Sequence, residues 1–207
     1  MTQEIIVVGA GGHAKVCIEL LRAMDERVAY CVGGDDSDEY CLDVPVLKGD
    51  DNLDRLSREG YGRVFIAIGS NRLRDRLAAL ALSLGYTLAN AISPRASISP
   101  SAKIGSGVAI MAGAVINADA NIGDLSIINT GATIDHDCRI GRAAHIAPQS
   151  ALAGNVMVGD YAFLGVGTKV IPEVVIGEQA VIGAGGVVVG DISPHVTAVG
   201  VPAKQIK

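Results

Sequence analysis

"IGSGVAIMAGAVINADANIGDLSIINTGATIDHDCRIG", residues 104–141, carries the reading of the fold. Stepping by six from Ile104 lands on Ile110, Ile116, Ile122, Ile128, Ile134 and Ile140. Continued in both directions, the step runs from Ile98 to Val188, and all 16 positions are Ile, Leu or Val. Two residues before each, the side chain is small or is valine, as at Ala102, Val108, Ala114, Ala120, Ser126, Ala132 and Cys138. A period of six that swaps aliphatic and small inward residues predicts a β-solenoid of hexapeptides.

A period of 18 lies over the first. An aliphatic-Gly pair recurs at 104–105, 122–123, 140–141, 158–159 and 176–177, and Gly113, Gly131, Gly167 and Gly185 keep the same spacing, with Gln149 as the exception. Three hexapeptides therefore make one coil of a three-sided prism, and the 90 residues from 98 to 188 (188 − 98 = 90) make five coils. Open solenoid ends invite strand addition. The expectation is that the preceding domain covers one end and that "ISPHVTAVGVPAKQIK", residues 192–207, folds back near the other.

Upstream of residue 92 the pattern is different. "EIIVVG" (4–9), "VAYCV" (28–32), "RVFIAIG" (63–69) and "TLANAI" (87–92) read as strands. "HAKVCIELLRAM" (13–24) and "RLRDRLAALALSLG" (72–85) have helical apolar spacing. Alternating strands and helices predict a small parallel sheet, with its ligand at the carboxyl ends of the strands. The expected division is an α/β domain over 1–92, the solenoid over 93–191 and a tail over 192–207.

Composition narrows the function classes. The 49% hydrophobic and 19% charged content fits a soluble globular protein, and 3% aromatics means an aliphatic core. A net charge of −5 argues against a nucleic-acid binder that works by broad electrostatic attraction. Cys17, Cys31, Cys41 and Cys138 are scattered without CxxC pairing, and the start "MTQEIIVVGAGG" lacks a basic leader, so a reduced, cytoplasmic protein is expected. No apolar run reaches the roughly 18 residues of a membrane-spanning helix, so no membrane insertion is expected.

Within the solenoid, His136 stands two residues after an inward Ile, at a corner, between Asp135 and Asp137. One coil on, about 4.8 Å along the stack, is Gly154, which leaves room and offers a backbone N–H. A base, a carboxylate to orient it and an oxyanion donor are the parts for acyl transfer. Asp137 or Asp135 would raise the imidazole's basicity and fix its tautomer; solvated corner residues are the plain alternative. His145, half a coil further, faces out before Ile146. In a cyclic trimer it could meet a neighbour's His136, or it is a packed interface histidine. In the first domain, "GAGGHA" (9–14) sets glycines between a strand and a helix N-terminus, where free N–H groups favour a diphosphate. Gly11, Gly12 and His13 are the candidates there, and Gly69, Ser70 and Asn71 close another strand end.

Together, "GAGGHAK", "NTGATIDHDCRIG", "HIAPQSALAGNV", "FLGVGTKVIP", "IGAGGVVV" and "GVPAK" resemble one family over nearly the whole chain. It is that of the sugar-nucleotide N-acetyltransferases, with a small half-Rossmann-like nucleotide-binding α/β domain fused to a left-handed parallel β-helix. The chain looks most similar to the GDP-perosamine N-acetyltransferases, with the UDP-4-amino-sugar enzymes somewhat further away and a UDP- or dTDP-linked sugar left open as acceptor. The resemblance implies acetyl-CoA as co-substrate, no metal, and a homotrimer with sites between subunits that serves surface polysaccharide assembly. It implies His136 as general base with Asp137 raising its basicity, and His145, Gly154, Val166 and Ala184 as acetyl-CoA contacts. It also places Asn129 near the reacting centre. Where relatives have an acidic residue directly after the second strand, this chain has Gly33 and Gly34, then Asp35 and Asp36, which are either nucleoside contacts or a solvated loop.

The rival readings are a sugar O-acetyltransferase of the sialic-acid type, a zinc hydratase, and a non-catalytic nucleotide-binding scaffold. The zinc reading needs three histidine ligands, and the solenoid has only His136 and His145 before His195 in the tail.

Overall fold

The computed structural model describes residues 2–206, which divide into two compact units, one ending at Pro94 and the other beginning at Arg95. The first unit runs β1 (Thr2–Val8), α1 (Gly12–Ala23), β2 (Val28–Gly33), β3 (Tyr40–Cys41), β4 (Val44–Lys48), α2 (Asn52–Arg58), β5 (Tyr61–Ile66), α3 (Asn71–Ser83) and β6 (Thr87–Leu88). The sheet order is β3-β4-β2-β1-β5-β6, parallel except for β3 against β4. β1 is central, and Ile5, Ile6, Val7 and Val8 are all buried. This is why its sequence is an unbroken apolar run rather than an alternation.

The helices show their inward faces at i, i+3, i+4 and i+7: Ala14, Cys17, Ile18 and Leu21 on α1, and Arg74, Leu77, Ala78 and Ala81 on α3. The structure adds β3, β4 and α2 to the elements read from the sequence. β4 is the five residues "VPVLK", whose Pro45 interrupts a strand pattern, and α2 buries only Leu53 and Leu56. Neither is long enough to show a period. The "TLANAI" stretch is two short strands, Thr87–Leu88 and Ala91–Ile92, separated by Ala89 and Asn90.

The second unit is a left-handed parallel β-helix. From Ser97–Ile98 to Val187–Val188 its strands are two residues long, and the second residue of each points inward. Three sheets form the faces of the prism, and each strand pairs with its equivalent one coil on: Ile98 with Ile116, Ile116 with Ile134, Ile134 with Leu152, Leu152 with Val170 and Val170 with Val188. Ladder bonds join coil to coil, as Val115 N–H to Ala132 O at 3.0 Å and Asn117 N–H to Ile134 O at 2.9 Å. The small positions Ala114, Ala120, Ala132, Cys138, Ala144 and Ala162 are fully buried and leave room for the aliphatic side chains between them. From Gly107 to Gly185 each corner turns on one left-handed residue. At one corner these are Gly113, Gly131, Gly167 and Gly185, and Gln149 adopts the same conformation at φ 58°. The glycine exception thus keeps the geometry at the cost of a side chain in the left-handed region.

The tail departs from the repeat at the last coil. Ile182 pairs with Ala198, where a full coil would reach Gly200, and Ile176 bridges Ile192 at the same shortened step. The chain then reverses, so that Lys204–Gln205 pairs antiparallel to Thr197–Val199. A lysine on a short reversed strand is a poor template for further pairing.

Candidate active site

His136 occupies the corner between the face ending at Thr133–Ile134 and the face beginning at Arg139–Ile140. Its Nδ1 stands 2.7 Å from Asp137 Oδ2. Asp137 is the left-handed residue of this corner, φ 60°, which turns its carboxylate back beside the ring it follows. Asp135 is engaged elsewhere. Its Oδ1 accepts from the His136 backbone N–H at 2.8 Å and from Asn117 Nδ2, one coil below, at 2.9 Å. Those two bonds hold its carboxyl below the usual carboxylate range, Asn117 contributing most. The choice between the two flanking carboxylates is thereby resolved by geometry. Asp137 pairs with the imidazole, and Asp135 ties the corner to its neighbour.

The hydrogen bond to Asp137 is the largest cause of a His136 pKa raised above 6.5. Burial acts against it and is outweighed, because the side chain is 60% exposed. With Nδ1 facing a carboxylate, neutral imidazole carries its proton on Nδ1 and leaves Nε2 as the accepting nitrogen.

Gly154 lies flush against that ring. A β-carbon placed on it would stand 2.6 Å from both Cε1 and Nε2 of His136 and 3.2 Å from Nδ1. The column it shares, one residue per coil, also holds Pro100, Ala118, His136 and Pro172. Two prolines without an N–H fit there, so the coil ladder does not use that donor. The N–H of Gly154 has no partner among the described residues.

Asn129 and His145 come together one corner away, Asn129 Nδ2 lying 3.1 Å from His145 Nε2. Thr130 N–H donates to Asn129 Oδ1 at 2.8 Å, and Phe163 packs on His145 in a T-shaped contact at 5.2 Å. Val166 and Ala184 are exposed at that same corner, one and two coils beyond Pro148. Within one chain His145 and His136 do not meet. The corners at Thr130 and His136 are six residues apart, a reach of at most about 20 Å.

In the first unit, the carboxyl ends of β1, β2 and β5 surround a cavity of about 550 Å³ lined by Gly9, Gly11, Gly33, Asp36, Asp38 and Asp50, among others. Asp36 lines this cavity and Asp35 does not. Gly9 is a glycine for the fold's own reasons: its φ is +117°, and a β-carbon would lie 2.7 Å from Ala67 O. Gly11, Gly12 and Gly69 are different, since a β-carbon on any of them would meet nothing within 4 Å and none has the left-handed φ that favours glycine. Nothing in the folded chain requires glycine at these three positions. They leave bare backbone at the N-terminus of α1 and beside the end of β5, the arrangement that accepts a phosphate.

His13 follows this loop and is largely buried, its pKa pushed down to about 4 by burial first and by the nearby Arg74 guanidinium second. Its Nε2 lies 3.6 Å from Cys17 Sγ, and burial pushes that thiol up to about 12, so it stays protonated. Ser70 is exposed and Asn71 half-buried at the start of α3, where Asn71 Oδ1 accepts from Arg74 at 2.9 Å.

Two contributors were not singled out in the sequence. Arg74 is buried to 1% exposure and donates to Ile68 O at 2.9 Å and Gly69 O at 3.1 Å, holding the loop after β5 in place. Its signal was a charged residue on the i, i+3, i+4, i+7 face of a helix. Asn117 sits one coil before Asp135, so coil arithmetic finds it. Among the described residues no group of three or more His, Cys, Asp or Glu is arranged to hold a metal ion. No helix among them is long and apolar enough to cross a membrane.

Residues 4–80 match the family model described as the PglD N-terminal domain. The solved perosamine N-acetyltransferase of Caulobacter crescentus, in complex with CoA and GDP-perosamine, is 54% identical and superposes with a TM-score of 0.97 over 100% of this chain and 99% of that one. The acetyltransferase domain of PglB from Neisseria gonorrhoeae, in complex with acetyl coenzyme A, is 37% identical, with a TM-score of 0.92 over 100% of both chains. WeeI from Acinetobacter baumannii is 28% identical, with a TM-score of 0.90 over 99% of this chain and 100% of that one. A two-unit architecture shared from end to end, at an identity above one half, means that this chain belongs to the family of acetyl-CoA-dependent sugar-nucleotide N-acetyltransferases.

Proposed function

We propose that this enzyme transfers the acetyl group of acetyl-CoA to the 4-amine of a nucleotide-linked 4-amino-4,6-dideoxyhexose, with GDP-perosamine as acceptor. The observation that carries the reading is the corner at His136: an imidazole paired through Nδ1 with Asp137 at 2.7 Å, and Gly154 against its face. The acyl donor supplies an activated thioester carbonyl. His136 Nε2 takes the proton that the amine loses as its nitrogen bonds to that carbon, and Asp137 stabilises the imidazolium formed. Gly154 N–H donates to the carbonyl oxygen as it becomes an oxyanion. Collapse expels the CoA thiolate, which leaves with the proton from His136, and the product is the 4-acetamido sugar nucleotide.

The nucleotide is held in the first unit. Gly11, Gly12 and Gly69 present backbone to the diphosphate, and Asp36 lines the cavity for the nucleoside. Support for a guanine nucleotide comes from the 54% identical relative solved with GDP-perosamine. Val166 and Ala184 grip the pantetheine arm. They share a corner with Asn129, whereas His136 is one corner further on, and a cyclic trimer brings one subunit's base corner beside its neighbour's thioester corner. We place the reaction in the cytoplasm, where nucleotide sugars and acetyl-CoA meet and where four cysteines stay free.

The test is CoA thiol release with GDP-perosamine and a UDP-4-amino-4,6-dideoxy sugar as separate acceptors, for wild type and His136→Ala. Release with GDP-perosamine that falls by about 10²–10⁴ in the variant supports the reading. Equal turnover by a correctly folded variant removes His136 from the role of base, and a preference for the uridine nucleotide overturns the choice of acceptor.

A further inference from the structure

Three corner peptides of the β-helix show the same orientation. At the residue two after the inward aliphatic, the N–H faces outward to a carboxylate: Ser106 N–H donates to Asp124 Oδ1, His136 N–H to Asp135 Oδ1 and Arg142 N–H to Asp160 Oδ1, each at 2.8 Å. A trans peptide sets its C=O antiparallel to its N–H, so the carbonyl of the preceding residue turns inward. Gly141 O, which shares a peptide with Arg142 N–H, accepts from the fully buried Ser126 Oγ at 2.9 Å. In the coils before His136, the same corner carbonyl closes the turn: Ser99 O accepts from Ala102 N–H at 3.0 Å and Asn117 O from Ala120 N–H at 3.4 Å.

One coil beyond His136 the turn is not closed that way. Val156 stands where the earlier coils have Ala102 and Ala120, and its N–H makes no bond to Ala153 O among the described residues. The carbonyl is taken by Cys138, fully buried in the coil interior, whose Sγ donates to it at 3.2 Å. Burial is the largest cause of a raised Cys138 pKa, so the thiol keeps the proton it donates. Ala153 O and Gly154 N–H belong to one peptide unit. With the oxygen drawn inward, the N–H is directed to the His136 side of the corner. Unlike Ser106, His136 and Arg142, Gly154 has no acceptor for it among the described residues.

We infer that Cys138 is a positioning residue for the transfer step: its thiol holds Ala153 O inside the coil and so aims the Gly154 N–H at the thioester oxygen. This rests on the acetyl-transfer reading above, in which that N–H stabilises the oxyanion, and adds what fixes the donor's direction. The thiol bond also polarises the amide it holds, which strengthens the N–H as a donor. A hydroxyl can do the same, since Ser126 is to Gly141 O as Cys138 is to Ala153 O, 15 residues before it in each case.

Cys138→Ala is compatible with the coil, because Ala102, Ala114, Ala120 and Ala132 fill the same interior place. In this variant the Ala153 carbonyl ¹³C resonance is expected to move upfield as its hydrogen bond is lost, a readout that needs no turnover. In steady state kcat and kcat/KM fall together by about 10 to 10³-fold, up to the full cost of removing an oxyanion donor and with the pattern of an interaction made only in the transition state. The acid limb of the pH profile keeps its wild-type position, because the His136–Asp137 pair is untouched. Cys138→Ser returns the Ala153 resonance and most of kcat.

An Ala153 carbonyl that does not move in Cys138→Ala overturns the inference, and so does a moved carbonyl with wild-type kcat. A displaced acid limb would assign the loss to His136 and overturn it as well. A wild-type enzyme that acetylated no sugar nucleotide would remove the acetyl-transfer reading, while the Ala153 resonance would still decide whether Cys138 holds the peptide.

Discussion

Replacing Gly154 by alanine isolates the placement of the base from everything else at the corner. The new β-carbon would meet His136 Cε1 and Nε2 at 2.6 Å, whereas ordinary contact begins at 3.4 Å, so the ring must retreat by about 0.8 Å (3.4 − 2.6 = 0.8). The backbone of Gly154 is not in the left-handed region, so alanine adds no backbone strain. Its N–H, the proposed oxyanion donor, survives the substitution. The displaced ring is 60% exposed and free to swing toward solvent. Gly154 is itself buried, but the group its β-carbon displaces can move into solvent, so thermal stability should fall by no more than about 1 kcal/mol, the centre of the range for point substitutions. Catalysis should not be spared: a misplacement on the order of 1 Å costs about 10²-fold in rate. The swing also breaks the 2.7 Å contact with Asp137, so the acid limb of the rate profile should move toward the ordinary imidazole value. The assay is CoA thiol release against pH, with a thermal melt on the same preparations. An alanine variant with wild-type kcat and an unmoved acid limb would refute the claim that this glycine exists to seat the base.

Asp137→Asn removes the main cause of the raised His136 pKa. A base must be neutral to act, so activity rises with pH through that pKa; the variant's rise should come at lower pH, with a plateau reduced about 10–100-fold by the weaker base and the lost orientation, measured as a pH profile of kcat/KM. Gly12→Ala should stabilise the first unit by about 0.4–1 kcal/mol, because its β-carbon meets nothing and the unfolded chain loses freedom. The same change should raise KM for the sugar nucleotide at least about tenfold if the bare backbone takes a diphosphate, and leave KM for acetyl-CoA alone. For Arg74, the readout is stability against pH. His13 titrates near about 4 when folded against 6.5 for the ordinary group, so between those values the unfolded chain binds more protons and stability falls as pH drops, by at most about 3 kcal/mol. Arg74→Met should raise the His13 value, as a shift in its NMR titration, and narrow that window; it should also cost about 1–3 kcal/mol by leaving Ile68 O and Gly69 O without their donor.

Why the β-helix was legible and parts of the first unit were not follows from what each repeat must satisfy. Every sixth residue from 98 to 188 fills one narrow interior, so a single polar substitution would break the stack and the pattern has no slack. β4 and α2 answer to no such constraint. α2 needs Leu53 and Leu56 and little else, and two apolar residues three apart occur in many loops. The site divides along the same line. That His136, Asp137 and Gly154 are neighbours was legible because coil arithmetic converts one full period into a neighbour one strand away. Arg74 was missed because it reaches its partners through tertiary packing, which no period records. The roles of Asp135 and Asp137 could not be separated in the sequence either. The distinction rests on one left-handed residue, Asp137 at φ 60°, that turns one carboxylate toward the ring while the other is spent on Asn117.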